Sequence, residues 1–388
     1  MPLPDHGRDD LARWLRLVLT PGLGPAKLRG LRAAFGFPES GLATDRRRLA
    51  EILGPERAEA LARPDPARDA AVDAALAWAS EVGHHLVALS DPAYPPRLRE
   101  IPDPPGLLFV HGDPARLSAP SVAIVGSRSA SRSGLDNAHA FARALGDAGQ
   151  AVVSGLAVGI DGAAHSGALD TPGGTVAVLG TGIDRIYPAR HRALAAEIVA
   201  GGGAIVSEVA LGTAPLKQNF PLRNRLIAGL AHGVLVVEAA PRSGSLITAR
   251  LAAEFGREVF AVPGSIHSPL ARGCHALIRQ GATLVETAAD VLAELPGRTW
   301  AAPFGALAVA TAAAGAGPTA AAGRSAEPPD PILDALGWDP LDLERLAARL
   351  DDRGPASAGR LAARLVALEL DGRLERLPDG RFQRRHPP

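Results

Sequence analysis

The chain has 388 residues, and its 41 Lys and Arg balance its 41 Asp and Glu, so its formal net charge is zero. Hydrophobic residues make up 47% and charged residues 21%, which is ordinary for a globular protein and excludes global disorder. Because a neutral chain has no long-range field that attracts a polyanion, any nucleic-acid site must be a local patch.

Three further features bound the class of protein. No apolar run approaches the roughly 20 residues that a membrane span needs, and the first ten residues lack the pattern of a secretory signal. The single cysteine, Cys274, excludes an internal disulfide and a Cys-cluster metal site. We therefore expect a cytoplasmic protein with no membrane association, no metal and no cofactor.

Residues 8–80 are predicted to form an N-terminal helical domain, because apolar side chains recur from Leu11 to Leu19 at helical spacing. A turn rich in Pro and Gly, residues 20–25, separates this first helix from a second at 26–35. The turn is similar to a helix-hairpin-helix, whose glycines let backbone amides approach a phosphate. We favour the alternative, a plain connection between two packed helices, because glycine is common in such turns.

Residues 84–296 are predicted to form an α/β domain with a mainly parallel sheet. Two short strand-like runs lie in 84–111, and from 121 to 290 apolar strands alternate with helices, which is typical of βαβ units with both sheet faces covered. The expected strands are 121–126, 151–155, 175–180, 204–207, 234–238, 258–262 and 283–285, and the expected helices include 135–146, 189–200 and 222–231.

The C-terminal part divides into a linker and a small module. Residues 297–330 are rich in Ala, Gly and Pro and are predicted to be a flexible linker. Residues 331–388 show three leucine-rich helices and a hairpin closed by an Asp-Gly turn, a pattern similar to a winged helix. The candidate recognition helix, 357–370, carries Arg360 and Arg364, but its leucines fit a protein contact as well as a DNA contact.

The loop after the first parallel strand, residues 126–134, is a candidate phosphate site. Gly126 allows a tight turn, Ser127 offers a hydroxyl and Arg128 a guanidinium that fits a phosphate. The loop is neither G-x-G-x-x-G nor a Walker A sequence, and no acidic residue ends the next strand, which disfavours NAD. The alternative is a helix cap at Ser127 with a solvated Arg128.

The richest segment lies at 216–227, within a stretch from 209 to 237 that contains no Asp or Glu. Cations for phosphates beside an aromatic ring for a base are typical of single-strand recognition. We expect Phe220 to precede, in a loop, a helix whose buried face includes Leu222; the alternative is a hydrophobic staple with solvated arginines. The candidate residues are Lys217, Asn219, Phe220, Arg223, Asn224 and Arg225.

A third candidate site follows the strand at 234–238. Ser243, Gly244 and Ser245 begin a helix, where a helix N-terminus binds an anion or a serine caps the helix. His165 is interpreted as a hydrogen-bonded helix residue rather than a general base. Several anion sites without an evident catalytic group favour binding over turnover.

Five runs, at 122–128, 154–161, 220–229, 243–249 and 259–264, closely resemble the DNA-processing protein A family (DprA, also called Smf), and the resemblance covers nearly the whole chain. It implies an extended Rossmann-like doubly wound sheet, an N-terminal sterile-alpha-motif-like domain and a C-terminal winged helix. It also implies a homodimer that is not an enzyme. Such a protein binds and protects single-stranded DNA in natural transformation, loads the RecA recombinase and contacts single-strand binding protein. By motif, the DNA site carries over to Ser127, Arg128, Lys217, Asn219, Phe220, Arg223 and Asn224.

An enzyme remains the alternative: a nucleotide-binding hydrolase on a Rossmann-like fold that grips a mononucleotide with the same loops. Such proteins often place a glycine-rich loop beside a catalytic acid. Residues 172–174 read Pro-Gly-Gly here, but they precede a strand rather than open a helix.

Overall fold

The computed structural model describes residues 5–35, 46–295, 330–338, 340–351, 358–377 and 380–385. The chain divides into two units, Met1–Glu294 and Leu295–Pro388. The predicted linker at 297–330 lies outside the described residues, except for Asp330. The domain boundaries expected at 80, 84 and 296 stay predictions.

The first unit begins with a group of helices: α1 (Asp5–Leu19), α2 (Pro25–Phe35), α3 (Arg46–Leu53), α4 (Pro55–Ala62) and α5 (Pro66–Ala79). Their apolar side chains, among them Trp14 and Leu15, are buried in one core with the strands that follow. The start of α5 is fixed by Asp65, whose carboxylate accepts the N–H groups of Ala67 and Arg68.

A nine-stranded sheet forms the centre of this unit. Its strands are β1 (His84–Ala88), β2 (Leu107–Gly112), β3 (Ser121–Val125), β4 (Ala151–Ser154), β5 (Thr175–Val178), β6 (Ala204–Ser207), β7 (Gly233–Val236), β8 (Glu258–Ala261) and β9 (Thr283–Leu284). Their spatial order is β1-β2-β6-β5-β4-β3-β7-β8-β9, and all neighbours from β6 to β9 are parallel. The predicted mainly parallel, doubly wound sheet is therefore confirmed.

Helices connect and cover the strands: α6 (Pro96–Glu100), α7 (Arg132–Asp147), α8 (Ile160–Ala168), α9 (Arg192–Ala200), α10 (Asn219–Leu230), α11 (Gly244–Glu254), α12 (Arg272–Arg279) and α13 (Ala288–Glu294). From β3 the chain winds through β4, β5 and β6 in one direction, then returns to β7 on the other side of β3. The carboxyl ends of β3 and β7 therefore mark the switch point, where ligands bind in open α/β sheets.

The start of α10 differs from the prediction. The helix begins at Asn219 rather than Leu222, so Phe220 lies in its first turn and not in a preceding loop. Pro221 is tolerated there because the first N–H groups of a helix have no partner within it. Leu222 is 59% exposed, and the buried face is formed instead by Arg223, Leu226, Ile227 and Leu230.

The second unit contains α14 (Pro331–Leu336), α15 (Leu343–Asp351), α16 (Ala358–Leu370) and the hairpin β10 (Leu374–Arg376) and β11 (Phe382–Arg384). Leu336, Leu346 and Leu365 are buried in its small core. Three helices followed by a hairpin confirm the winged-helix prediction. On α16, Arg364 is paired with Asp330 at 2.8 Å, and the predicted turn residue Asp379 lies outside the described residues.

Candidate nucleic-acid interface

A groove of about 830 Å³ opens at the carboxyl ends of β3, β4 and β7. We call it the switch-point groove. It brings together the loop after β3, the start of α8, the first turns of α10 and α11, and the segment before α10. Ten of the residues predicted from the sequence line it: Gly126, Ser127, Arg128, Lys217, Phe220, Arg223, Asn224, Ser243, Gly244 and Ser245.

The loop between β3 and α7 is closed by its own hydrogen bonds. The hydroxyl of Ser127 accepts the Ser129 N–H at 3.2 Å, and the hydroxyl of Ser131 accepts the Gly134 N–H at 3.0 Å. The carboxylate of Glu238, from the end of β7, accepts the Ser131 N–H at 2.9 Å. These bonds use the N–H groups of Ser129, Ser131 and Gly134, and the exposed Arg128 side chain extends from the same loop into the groove.

Arg128 lies above the aromatic ring of Phe220. Its guanidinium carbon is 5.6 Å from the ring centroid, within the range of a cation–π interaction. The structure thus joins the loop after β3 to the start of α10, two segments that are 92 residues apart in sequence.

The floor of the groove holds two buried side chains of opposite charge. Arg223 is only 4% exposed, and its Nη1 donates to the Val178 carbonyl at 3.1 Å. Opposite it, Asp161 Oδ2 accepts the N–H groups of Gly155 at 3.2 Å and Ala157 at 3.4 Å. Asp161 ends the run at 154–161 that resembles the family, but the sequence analysis did not propose it as a site residue.

Burial and pairing act against each other on these two groups. Burial raises the pKa of the Asp161 carboxyl, while the nearby Arg223 opposes that rise. Burial lowers the pKa of Arg223 to about 10, and Asp161 opposes that fall. Arg223 is therefore charged at neutral pH. Because Asp161 lies close enough to offset this charge, Arg223 differs from the free phosphate-binding arginine that the sequence suggested.

The first turn of α11 forms one wall of the groove. The Ser243 hydroxyl accepts the Ser245 N–H at 3.3 Å and lies 2.7 Å from the Ser245 hydroxyl. Ser243 is therefore a helix cap, which was the alternative left open. Asn224 Nδ2 donates to the Gly244 carbonyl at 3.3 Å and ties α10 to this turn.

Two predicted residues are not among those described as lining the groove: Asn219 and Arg225. Arg225 donates to the Asp103 carbonyl at 2.7 Å and pairs with Glu208. The acid-free stretch at 209–237 begins one residue after this partner, so the sequence window did not include the carboxylate that pairs with Arg225. The N–H of Asn219 donates to the Leu216 carbonyl at 3.0 Å, within the turn that begins α10.

The described lining of the groove contains four cations and a single carboxylate. Arg128, Lys217 and Arg242 are exposed, while Arg223 and Asp161 form the buried floor. Arg242 precedes the predicted Ser243, but the sequence analysis gave it no role. The groove is therefore a cationic site on a chain of zero net charge, as a local anion-binding patch requires.

His165 is a structural residue, as interpreted from the sequence. Thr175 donates its hydroxyl proton to the Val152 carbonyl, so His165 Nδ1 must donate to the Thr175 hydroxyl at 2.7 Å. The other ring nitrogen then accepts the Leu156 N–H at 3.3 Å. Burial lowers the pKa of His165 to about 3, in agreement with a neutral ring.

Comparison with known proteins settles the family. The model of the DNA recombination-mediator protein A family matches residues 85–296, more than half of the chain, and the DprA winged helix domain matches residues 316–380. The chain belongs to the DNA recombination-mediator protein A family. The resemblance inferred from its motifs is confirmed.

Two relatives in this family share about half of their aligned residues with the chain. Protein Smf of Escherichia coli K12 is 49% identical over 224 residues, which cover 58% of this chain and 60% of that protein. DNA processing protein DprA of Streptococcus pneumoniae is 48% identical over 207 residues, which cover 53% of this chain and 73% of that protein. The match thus spans less than two thirds of the E. coli relative.

A solved structure supports the fold. The X-ray structure of DNA processing protein A from Streptococcus pneumoniae superposes with a TM-score of 0.63 at 38% identity, covering 77% of this chain and 100% of that one. In the part of this chain that the structure describes, no helix is both long and apolar enough to cross a membrane.

Proposed function

We propose that this protein binds single-stranded DNA in the switch-point groove and acts in DNA processing during natural transformation. The observation that carries the proposal is the cation–π contact of Arg128 with Phe220 beside Lys217 at the rim of one groove. Cations that follow a phosphate backbone next to aromatic rings that meet bases characterise sites for unpaired strands.

Within the proposal, each part of the groove has its own role. The exposed Arg128, Lys217 and Arg242 neutralise phosphates. The aromatic part of the groove, which includes Phe220, stacks on a base, a contact worth roughly 1–3 kcal/mol by alanine substitution. Ser127 and Asn224 hold the loops in place through the hydrogen bonds described above.

The groove supports binding rather than bond cleavage. The carboxylate in its described lining, Asp161, already accepts two backbone N–H groups and faces Arg223. A general acid or base needs a free proton-transfer position within reach of the substrate. We therefore favour a DNA-binding protein over the alternative, a nucleotide hydrolase.

The central experiment compares single-stranded and double-stranded oligonucleotides of equal length by gel shift and by fluorescence anisotropy at fixed salt. Wild type should prefer the single strand, and Lys217→Ala should weaken that binding at least tenfold, since a charge-assisted contact is worth about 1.5–3 kcal/mol. The matched control is Arg143→Ala on α7, which removes the same charge from an exposed ion pair that does not line the groove.

Two outcomes would overturn the proposal: equal affinity for both DNA forms, or equal losses for Lys217→Ala and Arg143→Ala. Incubation with nucleoside monophosphates tests the alternative. Release of free base or phosphate by wild type, and its loss in Asp161→Asn, would establish a hydrolase.

We also propose that the protein is a cytoplasmic homodimer that protects the bound strand, loads the RecA recombinase and contacts single-strand binding protein. These roles rest on the family resemblance. Sedimentation tests the dimer. RecA filament growth on strands coated with single-strand binding protein tests loading, which wild type should accelerate and Lys217→Ala should not.

A further inference from the structure

The switch-point groove contains a second aromatic ring, Tyr187, to which neither the sequence motifs nor the proposed function gave a role. It lines the groove in the segment between β5 and α9. Its side chain is 48% exposed, whereas Tyr94, the other tyrosine of the chain, is fully buried. An exposed ring inside a cationic groove is a costly arrangement for stability alone, since burial of aromatic surface favours folding.

Tyr187 is supported from behind by Phe220. The two ring centroids are 5.6 Å apart, and the ring planes are tilted by 47°. This separation is too small for a base to enter between the rings, because a base sandwiched between two rings needs about 7 Å, twice the ordinary carbon–carbon contact distance. A base must therefore stack on the outer side of Tyr187.

Phe220 itself has less free surface. It is partly buried, with the Arg128 guanidinium 5.6 Å from its centroid. On another side the ring rests on the backbone of Gly180, where an added β carbon would lie 3.1 Å from Phe220 Cδ1. Arg128, Gly180 and Tyr187 thus all pack around Phe220, and the ring that remains open to a ligand is Tyr187.

The segment that carries Tyr187 is held firmly. Before the ring, the Thr181 hydroxyl donates to the Arg185 carbonyl at 2.6 Å, and the Asp184 carboxylate accepts the Gly212 N–H at 2.9 Å. After it, His191 Nδ1 donates to the Leu156 carbonyl at 2.9 Å. Because the chain is held on both sides of Tyr187, its backbone loses little conformational entropy when a ligand stacks on the ring.

We propose that Tyr187 forms a base-stacking subsite of the switch-point groove, which takes one unpaired nucleobase on its outer face while the neighbouring Arg128 and Lys217 hold the flanking phosphates. Phe220 acts as the support of this subsite. The proposal rests on the proposed function, because it names a contact within the same DNA site.

The test measures the affinity of each protein variant for two ligands of equal charge, a 20-nucleotide oligo-dT and a 20-residue abasic phosphodiester. Tyr187→Leu should weaken oligo-dT binding about tenfold and abasic binding less than twofold, because stacking requires the base. Tyr187→Phe, which keeps the ring, should bind oligo-dT as wild type does. Val82→Ala is the control; Val82 is fully exposed before β1, at the opposite edge of the sheet.

A spectroscopic readout tests stacking without relying on loss of affinity. Tyr187→Trp should show strong fluorescence quenching with oligo-dT and little with the abasic ligand, measured against the wild-type background of four tryptophans. Two outcomes would overturn the stacking subsite but not the proposal of DNA binding. One is an equal loss of affinity for both ligands in Tyr187→Leu, and the other is no additional fluorescence quenching in Tyr187→Trp. If wild type binds neither ligand, it is the proposed function that fails.

Discussion

The guanidinium of Arg223 crosses directly over Gly155, so closely that a β carbon at position 155 would overlap it. Gly155 directly follows β4, and its N–H donates to Asp161. Because Gly155 has no side chain, the guanidinium of Arg223 on α10 can reach the floor of the groove near the Asp161 carboxylate. This arrangement depends on three segments of the chain and on the absence of a single methyl group.

Gly155→Ala should displace Arg223 and weaken binding of oligo-dT about tenfold, or about 1.4 kcal/mol, because the floor loses its fixed charge. Anisotropy titration measures this loss. The control is Gly30→Ala on α2, which lies outside the groove lining and where an added β carbon meets only Ile52, at an ordinary 3.5 Å. Equal affinity in the two variants would show that the position of Arg223 does not matter for binding.

Arg225→Ala should reduce stability rather than DNA affinity. Arg225 and Glu208 are both mostly buried, and burial raises the pKa of the Glu208 carboxyl, which Arg225 opposes. Removing the arginine leaves a buried carboxylate unpaired, a change that typically costs about 3 kcal/mol. Urea unfolding measures the loss, and Arg225→Leu combined with Glu208→Leu should recover much of it. A variant of wild-type stability that binds DNA poorly would contradict this assignment.

The sequence predicted the sheet well because strands buried on both faces are short apolar runs bounded by turns. Those from β3 to β9 lie within two residues of their expected bounds. The start of α10 was predicted at Leu222, three residues late, whereas the helix begins at Asn219 and Pro221 occupies its third position. Proline marks the first turn of a helix but not its first residue.

The sequence predicted most of the residues that line the candidate site, but not the carboxylates that face its arginines. Ten of the twelve proposed residues line the groove, since loops after parallel strands converge at one edge of the sheet. The partners Glu208 and Asp161 could not be found by counting charges along a window, because pairing is decided in three dimensions. Tyr187 carries no periodic signal, and only the packing of its segment against Phe220 places it in the groove.

Salt should weaken DNA binding in proportion to the exposed cations. If Arg128, Lys217 and Arg242 each neutralise one phosphate, the logarithm of the association constant should fall against the logarithm of salt concentration with a slope near −2, at about −0.7 per phosphate. Arg128→Ala should reduce the slope to about −1.4, while Arg143→Ala leaves it at the wild-type value. A wild-type slope of zero would contradict an electrostatic groove.

Mild acid should destabilise the fold through His165. Burial, together with repulsion from His191 and Arg223, lowers its pKa to about 3, whereas the unfolded chain titrates near 6.5. Between about pH 6.5 and pH 3, the unfolded state therefore binds a proton that the native state does not bind. Stability falls as pH decreases toward 3, by up to about 1.4 kcal/mol per pH unit for this group.

His232, whose pKa burial lowers to about 4, acts in the same direction, so a second measurement must isolate His165. Its imidazole resonances, followed by NMR, should show no titration between pH 8 and pH 5 in the native protein and a midpoint near 6.5 in concentrated urea. A native midpoint near 6.5 would contradict the neutral ring that accepts the Leu156 N–H. Such a midpoint would mean that His165 does not accept the Leu156 N–H and so does not fix the turn that follows β4.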